Sequence, residues 1–298
     1  MKTIYLKMNM SFYKTIWIVP VLVLFITLFG CQKKSNNGEL FLPEGFVSTV
    51  YVDSIAETVR HMAVNDNGDL YVKFKRSSEA GVLAAIRDAN KDGVVDSLVK
   101  FGSYHIPQRG SYSTAARIYK GYLYFSSQLT VYRYKLDPDK LVPTGEAEII
   151  VHDDHAHGSH EHTGKPIAFD NDGNIYVPFG APNNACQNPK RTPMVPGQDP
   201  CPLLKDHGGI WRFDAEKIGQ TQHDGEKYAS GLRSIVALDW NNDDNHLYSV
   251  VHGRDDLTRL WPNHFSQWES ALLPSEEFVK IEKGDHFGWP YCYYDQMQ

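Results

Sequence analysis

The sequence predicts an all-β protein built as a β-propeller, and a recurring strand–turn–strand pattern is the main observation behind this prediction. The pattern is clearest in IAFDNDGNIYV, where two alternating apolar segments flank an Asn-Asp-Gly turn. Similar segments occur at three other places, and their equivalent tyrosines are Tyr71, Tyr124, Tyr176 and Tyr248. A repeat made of hairpins, with little helical periodicity, is typical of propeller blades around a central channel.

The spacing of these tyrosines indicates the extent of one blade. Successive tyrosines are separated by 53, 52 and 72 residues, so the last interval carries an insertion. After each of the first three hairpins comes a second apolar strand that ends in aspartate, namely VLAAIRD, VYRYKLD and IWRFD. Each repeat therefore has enough strands for one four-stranded blade, and one propeller domain fits the pattern better than two small domains.

The N-terminal residues do not share this pattern. Three lysines precede an apolar run over residues 16–29, which ends in Leu-Phe-Gly-Cys. The run is short for a membrane span, and a small residue before Cys31 is typical of a lipoprotein signal that is cleaved before a lipid-modified cysteine. We therefore expect a signal peptide at 1–30, lipidation at Cys31, a polar tether at 31–40 and a propeller at 41–298. An ordinary signal peptide or anchor is the alternative.

Export and lipidation would hold the protein on a membrane by its lipid, on the periplasmic or cell-surface side. Loss of residues 1–30 removes three lysines and no acids, so the formal net charge of −6 becomes −9. This negative charge disfavours a nucleic-acid partner.

Three cysteines remain after Cys31, and two of them are placed to form a disulfide. Cys186 and Cys201 bracket a Pro- and Asn-rich insertion within the third repeat, and an exported compartment permits a bond between them. Such a bond would limit the conformational entropy of a long loop. Cys292 is then left without a partner in this chain.

A series of motifs runs through residues 41–294 in a fixed order: LPEGF, MAVNDNGDLYV, VLAAIRDANKDGVVD, GYLYFSSQLTVYRYKLDP, a histidine-rich turn, GLRSIVALDW, HGRDDL and GDHFGWPYCY. Their order and spacing resemble the soluble glucose and sorbosone (aldose sugar) dehydrogenases that depend on pyrroloquinoline quinone (PQQ). The resemblance implies a six-bladed propeller that holds PQQ and calcium at the channel mouth and oxidises an aldose or a sugar aldehyde. GWPYCY lies around the fifth blade in that family, so we expect a propeller of about four to five blades, incomplete at the C-terminus.

The resemblance implies that His162 is the catalytic base. The family has its catalytic histidine just before a basic residue at a strand entry, and that residue is Lys165 here, where arginine is usual. Lys165 is accordingly expected to contact the cofactor. Removal of a hydroxyl proton needs a base that titrates near neutrality, which suits imidazole. His160 is a competing candidate.

GLRSIVAL resembles a family motif in which arginine and asparagine contact the cofactor. Arg233 matches the arginine, and it is expected to bind PQQ and to polarise its reactive carbonyl through paired hydrogen bonds. Ser234 stands where the family has asparagine, so the resemblance implies that Ser234 contacts the cofactor. Ala237 stands where the family has glycine. A surface salt bridge is the alternative role for Arg233.

HGRDDL resembles the family segment whose backbone carbonyls bind the active-site calcium, and these carbonyls map to Gly253 and Arg254. A backbone carbonyl is a suitable ligand whatever the side chain, although the Arg254 cation is an unfavourable neighbour for calcium. Further on, Glu276 and Glu277 match an acidic pair, and Val279 replaces an asparagine that is usual in the family.

Two other polar clusters each have two interpretations. DANKDGVVD, which begins at Asp88, resembles a calcium loop, but Val99 stands where a bidentate glutamate is needed, so an Asp-Gly turn on a blade rim is the alternative. Five histidines with nearby acids lie between His152 and His162. They could bind a transition metal, but a solvated loop is the simpler interpretation.

These patterns favour a lipid-anchored, exported, PQQ-dependent sugar dehydrogenase whose electron acceptor the sequence leaves undefined. The alternative is a catalytically inactive propeller lipoprotein that binds a glycan or a protein, which is favoured by the substitutions at Ser234, Ala237 and Val279. A metal-dependent lactonase is a third hypothesis. It would need a ring of channel-facing Glu, Asn and Asp side chains, which the sequence does not reveal.

Overall fold

The computed structural model describes residues 40–104, 115–155 and 161–293. The chain divides into two units, Met1–Asp53 and Ser54–Gln298. The first unit, where it is described, is a strand-free segment with a turn in which Phe46 N–H donates to Pro43 O at 3.1 Å. The predicted signal peptide, the lipidation site Cys31 and most of the predicted tether lie outside the described residues.

The second unit begins with a four-stranded antiparallel sheet, blade 1. Its strands pair in chain order: β1 (Val59–Val64), β2 (Leu70–Ser78), β3 (Gly81–Arg87) and β4 (Ser97–Phe101). A tight turn joins the first two strands, because Gly68 N–H donates to Asn65 O at 2.8 Å. β3 is buried over nearly its whole length, as expected for the apolar sequence VLAAI.

Blades 2 and 3 repeat this design. Blade 2 contains β5 (Ala116–Tyr119), β6 (Tyr122–Ser126), β7 (Thr130–Lys135) and β8 (Glu148–His152). The next strands are β9 (Ala168–Phe169), β10 (Asn174–Phe179), β11 (Gly209–Asp214), β12 (Gln220–Thr221) and β13 (Glu226–Ser230). Blade 3 is formed by β9, β10, β11 and β13, whereas β12 pairs in parallel with β8 and so joins blade 2. This exchange ties neighbouring blades together.

Blade 4 has three described strands, β14 (Ile235–Asn241), β15 (His246–Val251) and β16 (Glu277–Ile281). Two short helices, α1 (Leu257–Leu260) and α2 (Gln267–Leu272), lie between β15 and β16. Ser266 caps α2, because its side chain accepts from Glu269 N–H at 3.2 Å. None of the described helices combines the length and the apolar character that a membrane span requires.

The repeated tyrosines lie where the sequence pattern places them, on the second strand of each blade. Tyr71 and Tyr124 are buried, and their hydroxyls reach the following blade: Tyr71 donates to Leu141 O at 3.2 Å and Tyr124 to Ala215 O at 2.8 Å. These bonds satisfy the buried hydroxyls and fasten one blade to the next.

Apolar side chains fill the space between successive blades. Tyr119 of blade 2 stacks on Phe169 of blade 3 with ring centres 4.3 Å apart, and Tyr176 of blade 3 stacks on Trp240 of blade 4 at 5.4 Å. The core therefore lies between the blades. The polar connections that begin and end the strands of blades 3 and 4 meet at one place, which is the candidate site.

Candidate functional site

The site is built around a hydrogen bond between His162 and Arg233, which are distant in sequence. His162 lies in the segment that leads into β9, and Arg233 lies in the connection from β13 to β14. Arg233 Nη1 donates to His162 Nε2 at 2.9 Å. The other ring nitrogen, Nδ1, donates to the Ala181 carbonyl at 2.8 Å. Since a carbonyl only accepts, Nδ1 carries the proton and Nε2 keeps a lone pair.

The electrostatics of this pair keep the imidazole neutral. Burial, and then the positive charge of Arg233, lower the pKa of His162 to about 4. Burial also lowers the pKa of Arg233, but a guanidinium stays charged at any physiological pH. The pair therefore joins a neutral proton acceptor to a permanent cation.

His162 adopts an uncommon backbone conformation to reach this position. Its φ is 51°, in the left-handed region that residues other than glycine seldom occupy. Gly180 lies directly against it, and a Cβ at Gly180 would come within 2.1 Å of the His162 carbonyl oxygen. The glycine that ends PFG is therefore required for the close approach of the two segments.

Asn184 is a site residue that sequence reasoning missed. Its Oδ1 accepts from Arg233 Nη1 at 2.6 Å, and its Nδ2 donates to the Asp255 carbonyl at 2.8 Å. Trp289 Nε1 donates to the main-chain carbonyl of Asn184 at 2.9 Å, and Asn184 is fully buried. The amide thus holds both the guanidinium and the loop that carries Asp255. The polar pair of asparagines just before Cys186 was the sequence signal that could have pointed to it.

The insertion between β10 and β11 is closed by a disulfide. Cys186 and Cys201 are bonded, with their Cα atoms 6.1 Å apart, and Cys292 is a free, exposed thiol. Asn183 Oδ1 accepts from Cys186 N–H at 2.6 Å, and the Tyr291 hydroxyl oxygen accepts from Cys201 N–H at 2.7 Å. Both ends of the insertion are therefore anchored by side-chain hydrogen bonds beside the sulfur atoms.

Arg191 connects this insertion to both segments of the site. Its Nε donates to Glu161 Oε2 at 3.0 Å, next to His162. Its Nη1 donates to Asp255 Oδ1 at 3.3 Å and also to Asp256 Oδ2. The disulfide-closed insertion thus links the histidine segment to the loop that follows β15.

Lys165 is buried in an ion pair. Its Nζ lies 3.5 Å from Asp153 Oδ2, donates to Pro178 O at 3.2 Å and lies 4.2 Å from the centre of the Phe179 ring. Burial lowers the pKa of Lys165, and Asp153 acts in the opposite direction. A lysine held in this way can reach a cofactor only if the ion pair opens, so its cofactor contact stays a prediction. Ser234, another predicted cofactor contact, is buried as well.

The predicted calcium ligands, Gly253 and Arg254, are separated from the end of β15 by one residue. The Gly253 carbonyl accepts a hydrogen bond from Arg233 Nη2, so a guanidinium already uses this oxygen. The Arg254 guanidinium lies 5.9 Å from the centre of the Trp261 ring. Among the described residues, no three His, Cys, Asp or Glu side chains are grouped so that they could hold a metal ion. The groups at Gly253 therefore fit an arginine and do not fit calcium.

The acidic loop that begins at Asp88 has the hydrogen bonds of a turn. Asp88 Oδ2 accepts from Gly93 N–H at 2.8 Å, and Asp96 Oδ2 accepts from Ala89 N–H at 2.7 Å. Carboxylates that bond the backbone of their own loop stabilise a turn without a cation. The turn interpretation is therefore favoured over the calcium loop.

The described histidines of the cluster have local partners. His152 Nδ1 lies 2.9 Å from Thr130 Oγ1, and His155 Nδ1 lies 3.0 Å from Asp153 Oδ1. The competing base, His160, lies outside the described residues. The comparison between His160 and His162 therefore stays a prediction.

A pocket lies beside the central pair; its cavity volume is about 40 Å³, and about 440 Å³ when the open space at its mouth is included. Its wall includes Arg233 and Arg254 together with the aromatic rings of Phe287, Trp289 and Tyr293. The Nε atoms of both arginines are buried and have no hydrogen-bond acceptor. Because buried donors without acceptors are unfavourable, the pocket suits a flat ligand that carries acceptors or negative charge.

Comparison with models of protein families shows which family this chain belongs to. The model of the TrAA12-like family matches residues 41–296, which is most of the sequence. The chain belongs to the TrAA12-like family. No curated protein sequence matches it.

Three solved structures share the fold of this TrAA12-like chain. The iodide structure of Trichoderma reesei Carbohydrate-Active Enzymes Family AA12 superposes with a TM-score of 0.61 at 16% identity, covering 80% of this chain and 57% of that one. The soluble aldose sugar dehydrogenase of Escherichia coli, in the apo form, gives 0.51 at 15% identity, covering 78% and 63%. The holo form of the pyranose dehydrogenase PQQ domain of Coprinopsis cinerea gives 0.50 at 14% identity, covering 75% and 48%.

These similarities establish the fold of the TrAA12-like chain. The predicted all-β propeller and the predicted resemblance to PQQ-dependent sugar dehydrogenases are confirmed, with four blades in the described residues. The chain spans 57% of the length of the Trichoderma reesei structure and 63% of the Escherichia coli structure. Activity, substrate and cofactor are therefore matters for a proposal.

Proposed function

We propose that this protein is a PQQ-dependent oxidoreductase that oxidises a hydroxyl group of an aldose or a related sugar aldehyde. The observation that carries the proposal is the His162–Arg233 pair, in which a neutral acceptor is bonded to a fixed cation and that cation, Arg233, lines an aromatic pocket. Two of the similar structures are an aldose sugar dehydrogenase and a pyranose dehydrogenase PQQ domain, which supports the same class of reaction.

The residues of the pocket fit PQQ, which is a flat aromatic tricarboxylate with quinone carbonyls. The Nε atoms of Arg233 and Arg254 are buried donors without acceptors, and guanidinium groups match carboxylates in geometry and charge. The rings of Phe287 and Trp289 line the same pocket and offer apolar faces. Arg233 and Arg254 would hold the cofactor, which supplies a two-electron acceptor when bound. Calcium at Gly253 is not included in the proposal, because Arg233 uses that carbonyl.

The residues of this chain can move the hydroxyl proton of the sugar. His162 Nε2 has the lone pair that accepts the proton, and Ala181 O holds the opposite N–H, which fixes the tautomer. Arg233 Nη1 donates to Nε2 at rest, so it must turn from the ring to the sugar oxygen before the proton moves. In that position it stabilises the negative charge that develops on the oxygen. Its departure from Nε2 also makes His162 a stronger base.

Substitution of the histidine tests the role of the pair. We expect His162→Ala to lower PQQ-dependent dye reduction with aldoses by about 10² to 10⁴, since this is the usual cost of losing a positioned base. His160→Ala should leave the rate near that of the wild-type protein. The reverse pattern would assign the base to His160. A wild-type protein that binds PQQ but oxidises none of a broad panel of aldoses would contradict the proposal.

Binding without turnover is a second candidate function. The observation that favours it is that Arg233 bonds both His162 Nε2 and the Gly253 carbonyl, so the resting pair has no free lone pair toward the pocket. A propeller that binds a glycan or a protein would keep this arrangement when its ligand is bound. Ligand binding with an unchanged rate of dye reduction would favour this function over the oxidoreductase.

Lipid anchoring at Cys31 on the periplasmic or cell-surface side is the second part of the proposal. It is supported by the apolar run at residues 16–29, the small residue before the cysteine and the polar segment after it. We expect the mature protein to partition into the detergent phase and Cys31→Ser to abolish that partitioning. Partitioning that survives the substitution would contradict lipidation at this residue.

A further inference from the structure

Arg254 is a partly buried cation, and no salt bridge joins it to a carboxylate of the described residues. Its Nε is buried without an acceptor. Its guanidinium carbon lies 5.9 Å from the centre of the Trp261 ring, at the outer limit of a cation–π contact. A ring face attracts the positive charge but accepts none of the in-plane N–H groups. The terminal Nη groups of Arg254, which have no hydrogen bond to another described residue, are therefore the donors that a ligand in the pocket can reach.

None of the nearby carboxylates is paired with Arg254 among the described residues. Glu276 Oε2 lies 2.7 Å from His252 Nδ1. Asp255 Oδ1 accepts from Arg191 Nη1 at 3.3 Å and lies 3.6 Å from Arg233 Nη1. The pocket wall contains one carboxylate, that of Glu277, and two guanidinium groups, those of Arg233 and Arg254. The wall thus keeps an excess of positive charge beside its aromatic rings.

The oxygen that would bind calcium is used by an arginine. Calcium binds protein oxygens at about 2.3–2.6 Å, so at the Gly253 carbonyl it would compete directly with Arg233 Nη2. Its double positive charge would also face the guanidinium groups of Arg233 and Arg254 across a partly buried pocket, where like charges repel strongly. The hydrogen bond from Arg233 satisfies the carbonyl without any metal.

We propose that Arg254 and Arg233 together bind a carboxylate of the ligand and take the place of a divalent cation, so that the pocket binds an aromatic polycarboxylate without calcium. The identity of that ligand as PQQ rests on the proposed function. The carboxylate site itself rests on the two arginines, their buried Nε atoms and the occupied Gly253 carbonyl. Two planar guanidinium groups match a carboxylate in both geometry and charge.

Titration of the full chain with two ligands tests this inference. PQQ and trimesate, a benzene tricarboxylate without quinone chemistry, are titrated into protein in EDTA and again in excess calcium. Binding is followed by calorimetry and by quenching of tryptophan fluorescence. We expect both ligands to bind in EDTA, with dissociation constants that calcium changes by less than about threefold.

Variants of Arg254 identify the site. Arg254→Leu should weaken both ligands by about 10- to 100-fold, the usual effect of losing hydrogen bonds to a charged group. Arg254→Lys keeps the charge but lacks the planar fork, so an intermediate affinity is expected. Arg259→Leu is the matched control, because Arg259 lies on the adjacent helix α1, pairs with Asp256 and does not line the pocket. It should bind like the wild-type protein.

The outcomes distinguish the calcium-free carboxylate site from the proposed PQQ function. PQQ binding that requires calcium would overturn the inference and leave the proposed function intact. Binding of trimesate without metal, together with no binding of PQQ, would support the carboxylate site and overturn the proposed cofactor. No binding of either ligand in both conditions would overturn both. Equal losses in Arg254→Leu and Arg259→Leu would show a general effect of charge and would also overturn the site.

Discussion

Lys73 and Lys165 are both buried in the propeller, but they have different partners. Lys165 Nζ lies 3.5 Å from a carboxylate oxygen of Asp153. Lys73 Nζ donates to Phe74 O at 3.0 Å and to the Tyr104 hydroxyl, and lies 4.9 Å from the centre of the Tyr104 ring. One buried ammonium group thus faces an anion, whereas the other faces neutral oxygens and a ring.

The difference between the two lysines shows what determines the charge of a buried base. Burial alone lowers the pKa of Lys73 to about 7, whereas Asp153 opposes the effect of burial at Lys165. A carboxylate partner preserves the charge, and neutral partners allow burial to remove the proton. Arg233 is a third case, because a guanidinium cannot lose its proton and must instead be matched by hydrogen-bond acceptors.

Lys165→Met should have the largest effect on stability. Removal of the ammonium group leaves Asp153 buried without its cation, which should lower the free energy of unfolding by about 3–5 kcal/mol. Lys165→Met combined with Asp153→Leu should recover most of this loss, because no buried charge remains. Chemical denaturation measures both effects. Lys120→Met is the control, since its ion pair with Glu216 is exposed and should contribute little to stability.

If Lys165→Met proved harmless at neutral pH, the ion pair would not matter to the fold. His155 is the group to examine in that case, because its Nδ1 also lies 3.0 Å from Asp153 Oδ1. Chemical denaturation of Lys165→Met/His155→Gln would then show whether the contact with His155 is what keeps Asp153 stable in the absence of Lys165.

Lys73→Met should change how the free energy of unfolding depends on pH. The pKa of Lys73 is about 7 in the folded protein and 10.5 ordinarily, so the unfolded chain binds the proton over this interval and the folded protein does not. Wild-type stability should therefore rise with pH between about 7 and 10.5, by up to about 1.4 kcal/mol per pH unit. Lys73→Met should lack this component.

The measurement for Lys73 is the difference in unfolding free energy between the wild-type protein and Lys73→Met, taken by urea denaturation at several pH values. Comparison of the two proteins removes the contribution of every other titrating group. A difference that is constant from pH 7 to pH 10 would mean that Lys73 remains charged in the folded protein.

Asn184→Ala tests the third buried cation, Arg233, and should have the smallest effect of the three substitutions. Loss of the Asn184 Oδ1 acceptor frees the Arg233 guanidinium, and we expect kcat/KM to fall by about 10- to 100-fold. The positive charge of Arg233 lowers the pKa of His162, so a less ordered Arg233 should raise that pKa. The acidic limb of the profile of kcat/KM against pH should therefore move to higher pH.

Asn183→Ala is the matched control for Asn184. Its side chain accepts from Cys186 N–H at 2.6 Å in the same insertion, so its loss affects stability without a described bond to Arg233. A shift of the pH profile in Asn183→Ala as large as that in Asn184→Ala would show that the insertion as a whole, and not the amide, sets the pKa of His162.

The blades were predictable from the sequence because their strands pair with close neighbours along the chain. The Asn-Asp-Gly turn and the alternating apolar residues around Tyr176 define a hairpin by themselves, and its repetition defines the propeller. The four repeated tyrosines have equivalent positions in their blades, but their surroundings differ. Tyr124 is buried and bonds Ala215 of the following blade, whereas Tyr248 is only partly buried and bonds Asp244 of its own hairpin at 2.5 Å.

The sequence by itself determined the repeat and the family, and it predicted His162 and Arg233 individually as site residues. Each of these depends on residues that are near one another in the chain. Only the tertiary structure decided that Arg233 bonds His162 and the Gly253 carbonyl, and that Asn184 holds the guanidinium. These bonds join segments of different blades. Hydrogen bonds and charges act over a few ångströms in space, and no local pattern of residues records which distant segments a folded sheet brings that close.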